Sequence, residues 1–132
     1  MSTIVKMPFT NPADVAFALK EGVWDNQGMG PMGKEGKIDK LFIYPTKKTV
    51  ELFGKGVTVL VATDVQGSII SNDDRLVWPT SILNTNIEPT LNNIRYKFGK
   101  VVPLSLEQVE VLFPEVAEKS LQGAPTGSYV SR

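Results

Sequence analysis

The pattern of hydrophobic and polar positions predicts a chain whose middle is made of short β-strands. Between residues 37 and 102, runs of β-branched and aromatic residues alternate with Pro, Gly and Asn-Asp punctuation, a spacing that favours a sandwich or a barrel-like antiparallel sheet. Val57–Ala62 is apolar on both faces and is expected in the centre of the sheet. The predicted strands are Ile38–Tyr44, Thr49–Phe53, Val57–Thr63, Ser68–Ile70, Arg75–Trp78 and Ile94–Val102.

Two local patterns refine this prediction. Gly54-Lys55-Gly56 lies between two β-type runs and predicts a hairpin. In the last predicted strand, Ile94, Tyr96 and Phe98 alternate with basic residues, which is typical of a strand with one face in water.

A short helix is predicted before the sheet. Asn11 can cap it, Pro12 suits its first position, Asp14 favours its first turn and Gly22 suits its end. The following segment, up to Gly36, is so rich in glycine that we expect a long loop there.

A second helical segment is predicted after the sheet. Ser105 and Gln108 form a capping-box pattern, and Pro114 is expected to divide the segment into two short helices or to kink it at Phe113. Apolar residues follow the cap at near-helical spacing: Leu106, Val109, Leu112, Phe113 and Val116. The fold class predicted is therefore mainly β, with a short N-terminal helix and a C-terminal helical segment.

The chain of 132 residues is predicted to contain one compact β domain at 37–121. Residues 1–36 form the helix and the Gly/Met-rich loop that precede it, and residues 122–132 are expected to be a flexible tail. No segment is long and apolar enough for a bilayer, and no secretory signal pattern is present, so we expect a cytoplasmic or virion protein that is neither secreted nor membrane-spanning.

Composition argues against most enzymatic chemistry. The chain has no Cys and no His, which removes thiolate nucleophiles and imidazole bases. Gly28, Gly30 and Gly33 match a dinucleotide-binding spacing, but Pro31 removes one backbone donor from that loop. We therefore predict no catalytic residue, no cofactor and no small-molecule substrate.

An acidic group is the one metal-site candidate. Asp64, Asp73 and Asp74 could bind a hard cation through oxygen, yet Asn72-Asp-Asp is also ordinary turn chemistry. The sequence leaves this alternative open, and no metal site is assigned.

A nucleic-acid interface is the alternative function. Residues 34–55 contain six lysines and three acidic residues, and Arg95, Lys97 and Lys100 extend this basic character. Aromatic residues interleave with them, as on a β platform that stacks single-stranded bases: Phe42, Tyr44, Phe53, Tyr96 and Phe98. The balanced charge of the whole chain, with a formal net charge of +0, disfavours this alternative.

The favoured function is a non-enzymatic structural or interaction module within a larger protein assembly, such as a virion head, tail or decoration component. Trp24, Met29 and Met32 are its predicted contact residues, because Trp and Met are favoured at protein interfaces. Packing of Trp24 onto the chain's own sheet is the alternative. The predicted partners are other proteins or further copies of the chain.

Overall fold

The computed structural model describes residues 4–26, 36–70, 93–118 and 129–131, together with Pro79. Within these ranges lie seven strands and four helices. The strands are β1 (Ile4–Phe9), β2 (Val23–Asn26), β3 (Gly36–Pro45), β4 (Thr58–Ile70), β5 (Asn93–Lys97), β6 (Lys100–Ser105) and β7 (Tyr129–Ser131). The helices are α1 (Pro12–Glu21), α2 (Lys47–Phe53), α3 (Leu106–Leu112) and α4 (Pro114–Glu118).

The seven strands form one curled sheet that closes to a half-barrel. Its strand order is β2-β5-β4-β3-β1-β7, and β6 continues beyond β5 along the same side of β4. The mainly-β prediction with short flanking helices is confirmed. The sheet is mixed, because β1 runs parallel to β3 while the other pairs are antiparallel.

The N-terminal helix is confirmed with the predicted ends. The Asn11 side chain accepts a hydrogen bond from the Ala13 amide at 2.9 Å, and Pro12 opens α1. Gly22 ends it with a φ of 76°, the left-handed conformation that glycine adopts without a steric penalty. Val15 and Ala18 face the core from this helix.

The predicted central strand is confirmed and is longer than its apolar run. β4 pairs with β3 on one side and with both β5 and β6 on the other. Residues from Val59 to Ala62 are buried on both faces, whereas burial alternates from Val65 to Ser68. The predicted strand Ser68–Ile70 is the last part of β4, so Gly67 does not end the strand.

A bend in the sheet separates these two halves of β4. Asp64 has a φ of 52°, in the left-handed region, and it lies where β5 gives way to β6 on the neighbouring strand. A Cβ atom on Gly99 would lie 2.6 Å from the Asp64 carbonyl oxygen and 2.7 Å from the Asp64 Cβ. Only glycine permits this approach, and the predicted single strand Ile94–Val102 is divided here for that reason. Ile94, Tyr96 and Phe98 are buried before the bend, as predicted.

The C-terminal helices follow the prediction as well. Ser105 and Gln108 form the reciprocal capping box, with hydrogen bonds of 3.0 and 3.1 Å. Pro114 begins α4 directly after α3 ends, so the apolar stripe lies on two short helices. Val109 and Val116 reach the core from them, and Phe113 packs edge-on against Phe42 at 5.1 Å between ring centroids.

The predicted strand Thr49–Phe53 is wrong, because these residues belong to α2. Thr46 caps this helix by accepting from the Thr49 amide at 3.3 Å, and the buried Thr49 hydroxyl donates to the Thr10 carbonyl at 2.9 Å. Gly54 caps the helix C-terminus through its amide. The predicted hairpin at Gly54-Lys55-Gly56 is therefore a helix end followed by a turn.

Three strands have no counterpart in the sequence prediction. β1 was not predicted, β2 lies where we expected a loop, and β7 lies where we expected a flexible tail. Each is held by a distant partner: β1 by β3, β2 by β5 and β7 by β1. The N-terminal segment and Tyr129–Ser131 thus contribute strands to the central sheet. The predicted strand Arg75–Trp78 and the loop at 27–35 lie outside the described residues.

Substitution of Gly99 by Ala is expected to destabilise the fold by about 2 kcal/mol, since the new methyl group overlaps the Asp64 main chain and forces the bend open. Urea unfolding measures the loss. Gly56→Ala is the matched control, because nothing lies within 4 Å of a Cβ at that position. Equal stability of the two variants would contradict the close-approach role of Gly99.

Candidate interaction surface

Trp24, the first of the predicted contact residues, lies in the core. It is 4% exposed and is paired across β2 and β5 with Tyr96, which is fully buried. This burial agrees with the alternative in which Trp24 packs onto the chain's own sheet. The pairing of β2 with β5 places Trp24 in the core, and no local sequence pattern indicates that long-range pairing. Met29 and Met32 lie outside the described residues.

An ion pair holds the same strand in place. The Arg95 guanidinium binds the Asp25 carboxylate through two hydrogen bonds, of 2.7 and 3.0 Å. Asp25 is 3% exposed, so the pair is largely shielded from water and the contact is charge-assisted. The Arg95 side chain thus joins β5 to β2 within the sheet and is not available to a ligand through these two donors.

The residues of the nucleic-acid alternative do not form one platform. Phe42, Tyr44, Tyr96 and Phe98 are all buried, and only Phe53 among the five aromatic candidates is exposed. Base stacking needs an accessible ring face. Of these five rings, that of Phe53 is therefore the one accessible for stacking.

Of the three aspartates in the metal-site candidate, only Asp64 lies among the described residues. It is exposed and its backbone is left-handed, while Asp73 and Asp74 lie outside the described residues. Among the residues that the structure describes, no three acidic side chains are arranged to hold a metal ion.

A buried lysine fastens the C-terminal helices to the sheet. Lys6, on β1, is 2% exposed, and its amine donates to the Val116 carbonyl at 2.8 Å. The same amine lies 3.9 Å from the centre of the Tyr44 ring, a cation–π contact. Lys40 makes a longer contact of the same kind with Phe113, at 5.2 Å. These contacts join β1 and β3 to α4 and the residue before it.

Burial shifts the pKa values of both partners. Burial lowers the pKa of the Lys6 amine to about 8, because the enclosed position disfavours the charged form. Burial raises the pKa of the Tyr44 phenol to about 12, and the negative charge of Glu110 adds to that increase. The buried amine and its bond to the Val116 carbonyl hold α4 against β1.

Of the seven large apolar side chains that are exposed among the described residues, the four most exposed lie on two helices, and the other three are Leu19, Ile69 and Val102. Val111 is 76% exposed, Leu52 is 70%, Leu112 is 60% and Phe53 is 54%. Leu52 and Phe53 end α2, and the other two end α3. We call these four residues the α2–α3 surface.

Lys55, two residues after the end of α2, contacts α3. The Lys55 amine lies 3.2 Å from a Glu110 carboxylate oxygen, and the Lys55 carbonyl accepts from the Glu107 amide at 3.1 Å. Beside this junction is a shallow open depression of about 500 Å³, lined by Ser105, Glu107, Gln108, Val111 and Leu112. The residue that follows the exposed apolar end of α2 by two positions thus contacts the helix that lines this depression.

Charge is divided between the two helices. α2 begins with Lys47 and Lys48, both exposed. Residues 101–118 contain four glutamates and no lysine or arginine. The α2–α3 surface is therefore flanked by a basic helix start on one side and by acidic helices on the other.

The neighbouring sheet edge is protected against strand addition. Among the described strands β6 pairs only with β4, which leaves its other edge open. The Leu106 amide donates to the Val57 carbonyl at 2.9 Å, and hydrogen bonding alternates from residue to residue along an antiparallel ladder. Pro103 consequently directs its ring nitrogen outward, where it offers no N–H to an added strand.

The hydrophobic pattern does not reveal this surface. It predicts a strand at Thr49–Phe53, which places the apolar end of α2 in a sheet. Leu112 was counted with the core-facing stripe of α3, although its side chain is exposed. The Thr46 cap is the signal that indicates a helix at this place. With the period of a helix, Leu52 does not share the core-facing side of α2 that includes the partly buried Val50.

Comparison with protein-family models, with curated proteins and with solved structures found no match for this chain. The helices in the described part of the chain are all too short or too polar to cross a bilayer.

The pH dependence of stability should report the Lys6 contact. Between pH 8 and 10.5 the unfolded chain holds a proton on Lys6 that the folded chain has released, so stability rises with pH in this window. A difference of one in pKa between the folded and unfolded chain corresponds to about 1.4 kcal/mol. The lowering of the Lys6 pKa from 10.5 to about 8 therefore makes the full rise in stability roughly 3 kcal/mol. Above pH 10 stability falls, because the unfolded Tyr44 phenol ionises while the folded one keeps its proton to about pH 12.

Urea unfolding between pH 7 and 11.5 measures both effects. Lys6→Met is expected to remove the rise between pH 8 and 10, and Tyr44→Phe is expected to remove the fall above pH 10. A Lys6→Met profile that runs parallel to the wild-type profile from pH 8 to 10 would show that Lys6 is not the source.

Proposed function

We propose that this chain is a non-enzymatic interaction module of a larger protein assembly, and that it docks through the α2–α3 surface. The observation that carries this proposal is the exposure of four large apolar side chains at the ends of two adjacent short helices. Exposed apolar groups of this size, gathered in one place and rimmed by charge, are typical of protein-binding sites.

The burial of other candidate groups supports the same proposal. Trp24, Tyr96 and Phe42 are enclosed in the core and offer no surface to a partner, whereas the four residues of the α2–α3 surface are the most exposed large apolar side chains of the described residues. Lys6 and Arg95 are engaged in contacts that hold the fold together. The absence of Cys and His from the chain adds to the argument against a catalytic role. The narrower assignment to a virion head, tail or decoration component stays a prediction from the sequence.

The state of the chain in an extract of its source tests the proposal. The tagged wild-type chain is expected to elute at a mass above that of its monomer. The Leu52→Ser/Phe53→Ser variant is expected to shift toward the monomer mass, because it removes roughly 1.5–3 kcal/mol of apolar burial for each side chain at a contact. Light scattering on the eluted fractions gives the mass.

A matched control separates docking from folding. Ile69, at the far end of β4, is 42% exposed, and Ile69→Thr changes an exposed apolar side chain outside the α2–α3 surface. This control is expected to keep the wild-type mass, and both variants should melt close to the wild type. A wild-type chain that elutes as a monomer, or a serine variant that keeps the larger mass, would contradict the proposal.

A further inference from the structure

We infer that the α2–α3 surface binds a second copy of this chain in a two-fold symmetric dimer; this inference rests on the proposed function. In the dimer, the apolar end of α2 from each copy fills the depression beside α3 of the other copy. Leu52 and Phe53 of one copy face Val111 and Leu112 of its partner.

One chain carries both an apolar projection and an apolar depression. Leu52 and Phe53 are exposed at the end of α2, and the depression beside α3 has Val111 and Leu112 on its wall. Leu52 and Phe53 do not line the depression of their own chain, and Lys55, two residues after α2, pairs with Glu110 of α3. A two-fold axis between the projection and the depression places each feature against its counterpart on the other copy, and both contacts form at once.

The charges follow the same arrangement. Two exposed lysines, Lys47 and Lys48, open α2, and the helices beside the depression carry only acidic charges, including Glu107 and Glu115. A two-fold dimer brings the basic start of α2 from each copy toward the acidic helices of the other. A partner of uniformly positive or negative charge would be attracted by one helix and repelled by the other. The formal net charge of +0 leaves no overall repulsion between two copies.

The structure also favours a helix-to-helix contact over sheet extension. Pro103 removes one backbone donor from the edge of β6 that no described strand pairs with, which disfavours strand addition there. A second copy therefore has the apolar helix ends, rather than this strand, as its point of attachment.

The test is a charge-exchange experiment on the full chain, with the dimer dissociation constant measured by sedimentation equilibrium. One variant is Lys47→Glu/Lys48→Glu and the other is Glu107→Lys/Glu115→Lys; all four side chains are exposed, so both variants are expected to fold. In a dimer of two copies of the same variant, like charges lie opposite one another at both contacts. Each should therefore dimerise about tenfold more weakly than the wild type at low salt.

Mixing the two variants restores opposite charges at both contacts. The mixed dimer is expected to recover wild-type affinity, and an increase in salt is expected to reduce the difference between mixed and unmixed samples. Leu52→Ser/Phe53→Ser should weaken the dimer at least about a hundredfold, since two large apolar side chains return to water. Ile69→Thr should leave the affinity unchanged.

The other outcomes overturn the dimer and distinguish it from the proposed function. A wild-type chain that is monomeric when pure, but elutes above its monomer mass in the source extract, means that this surface binds a different protein. A dimer that all of these variants leave unchanged means that copies meet elsewhere. A monomer in both settings removes the dimer and the proposed function together. Circular dichroism melting of each variant confirms that it is folded before its affinity is compared.

Discussion

The close approach of Gly99 to Asp64 is the constraint on which the architecture depends. β4 is long enough to serve two regions of the molecule, and it does so by bending where the main chains of neighbouring strands nearly touch. On one side of the bend β4 pairs with β6 and is buried on both faces; on the other side it pairs with β5 and alternates between buried and exposed residues. A side chain at position 99 would separate these strands, and the curl of the half-barrel requires that they stay together.

The helices α3 and α4 cover the half of β4 that is buried on both faces. The stretch from Val59 to Ala62 buries side chains on both faces, and α3 and α4 supply Leu106, Val109 and Val116 to the core. Lys6 then secures α4 by donating to the Val116 carbonyl, at the cost of a buried amine whose pKa is lowered. This polar contact fixes the position of a five-residue helix that has little buried surface of its own.

Short helices that cover a sheet with one face leave their other face unpaired. In α2 the buried Thr49 and the partly buried Val50 face the fold, and Leu52 and Phe53 do not. In α3 the buried Leu106 and Val109 face the fold, and Val111 and Leu112 do not. A helix that served only to cover the core would carry polar residues at these outward positions. The apolar residues found there are the physical basis for the interaction surface that we propose on this side of the molecule.

Local residue patterns were sufficient wherever one segment carries its own signal. α1 was predictable from Asn11 and Gly22, the division of the C-terminal helices from Pro114, and the central position of β4 from its continuous apolar run. Propensity favoured a strand at Thr49–Phe53, and the caps at Thr46 and Gly54 favoured the helix that forms. β1, β2 and β7 could not be found in this way, since each is defined by hydrogen bonds to a strand far away in the chain. The same distance applies to the proposed surface: pairing with β5 places Trp24 in the core, and the Lys55–Glu110 contact connects the residues that follow α2 to α3.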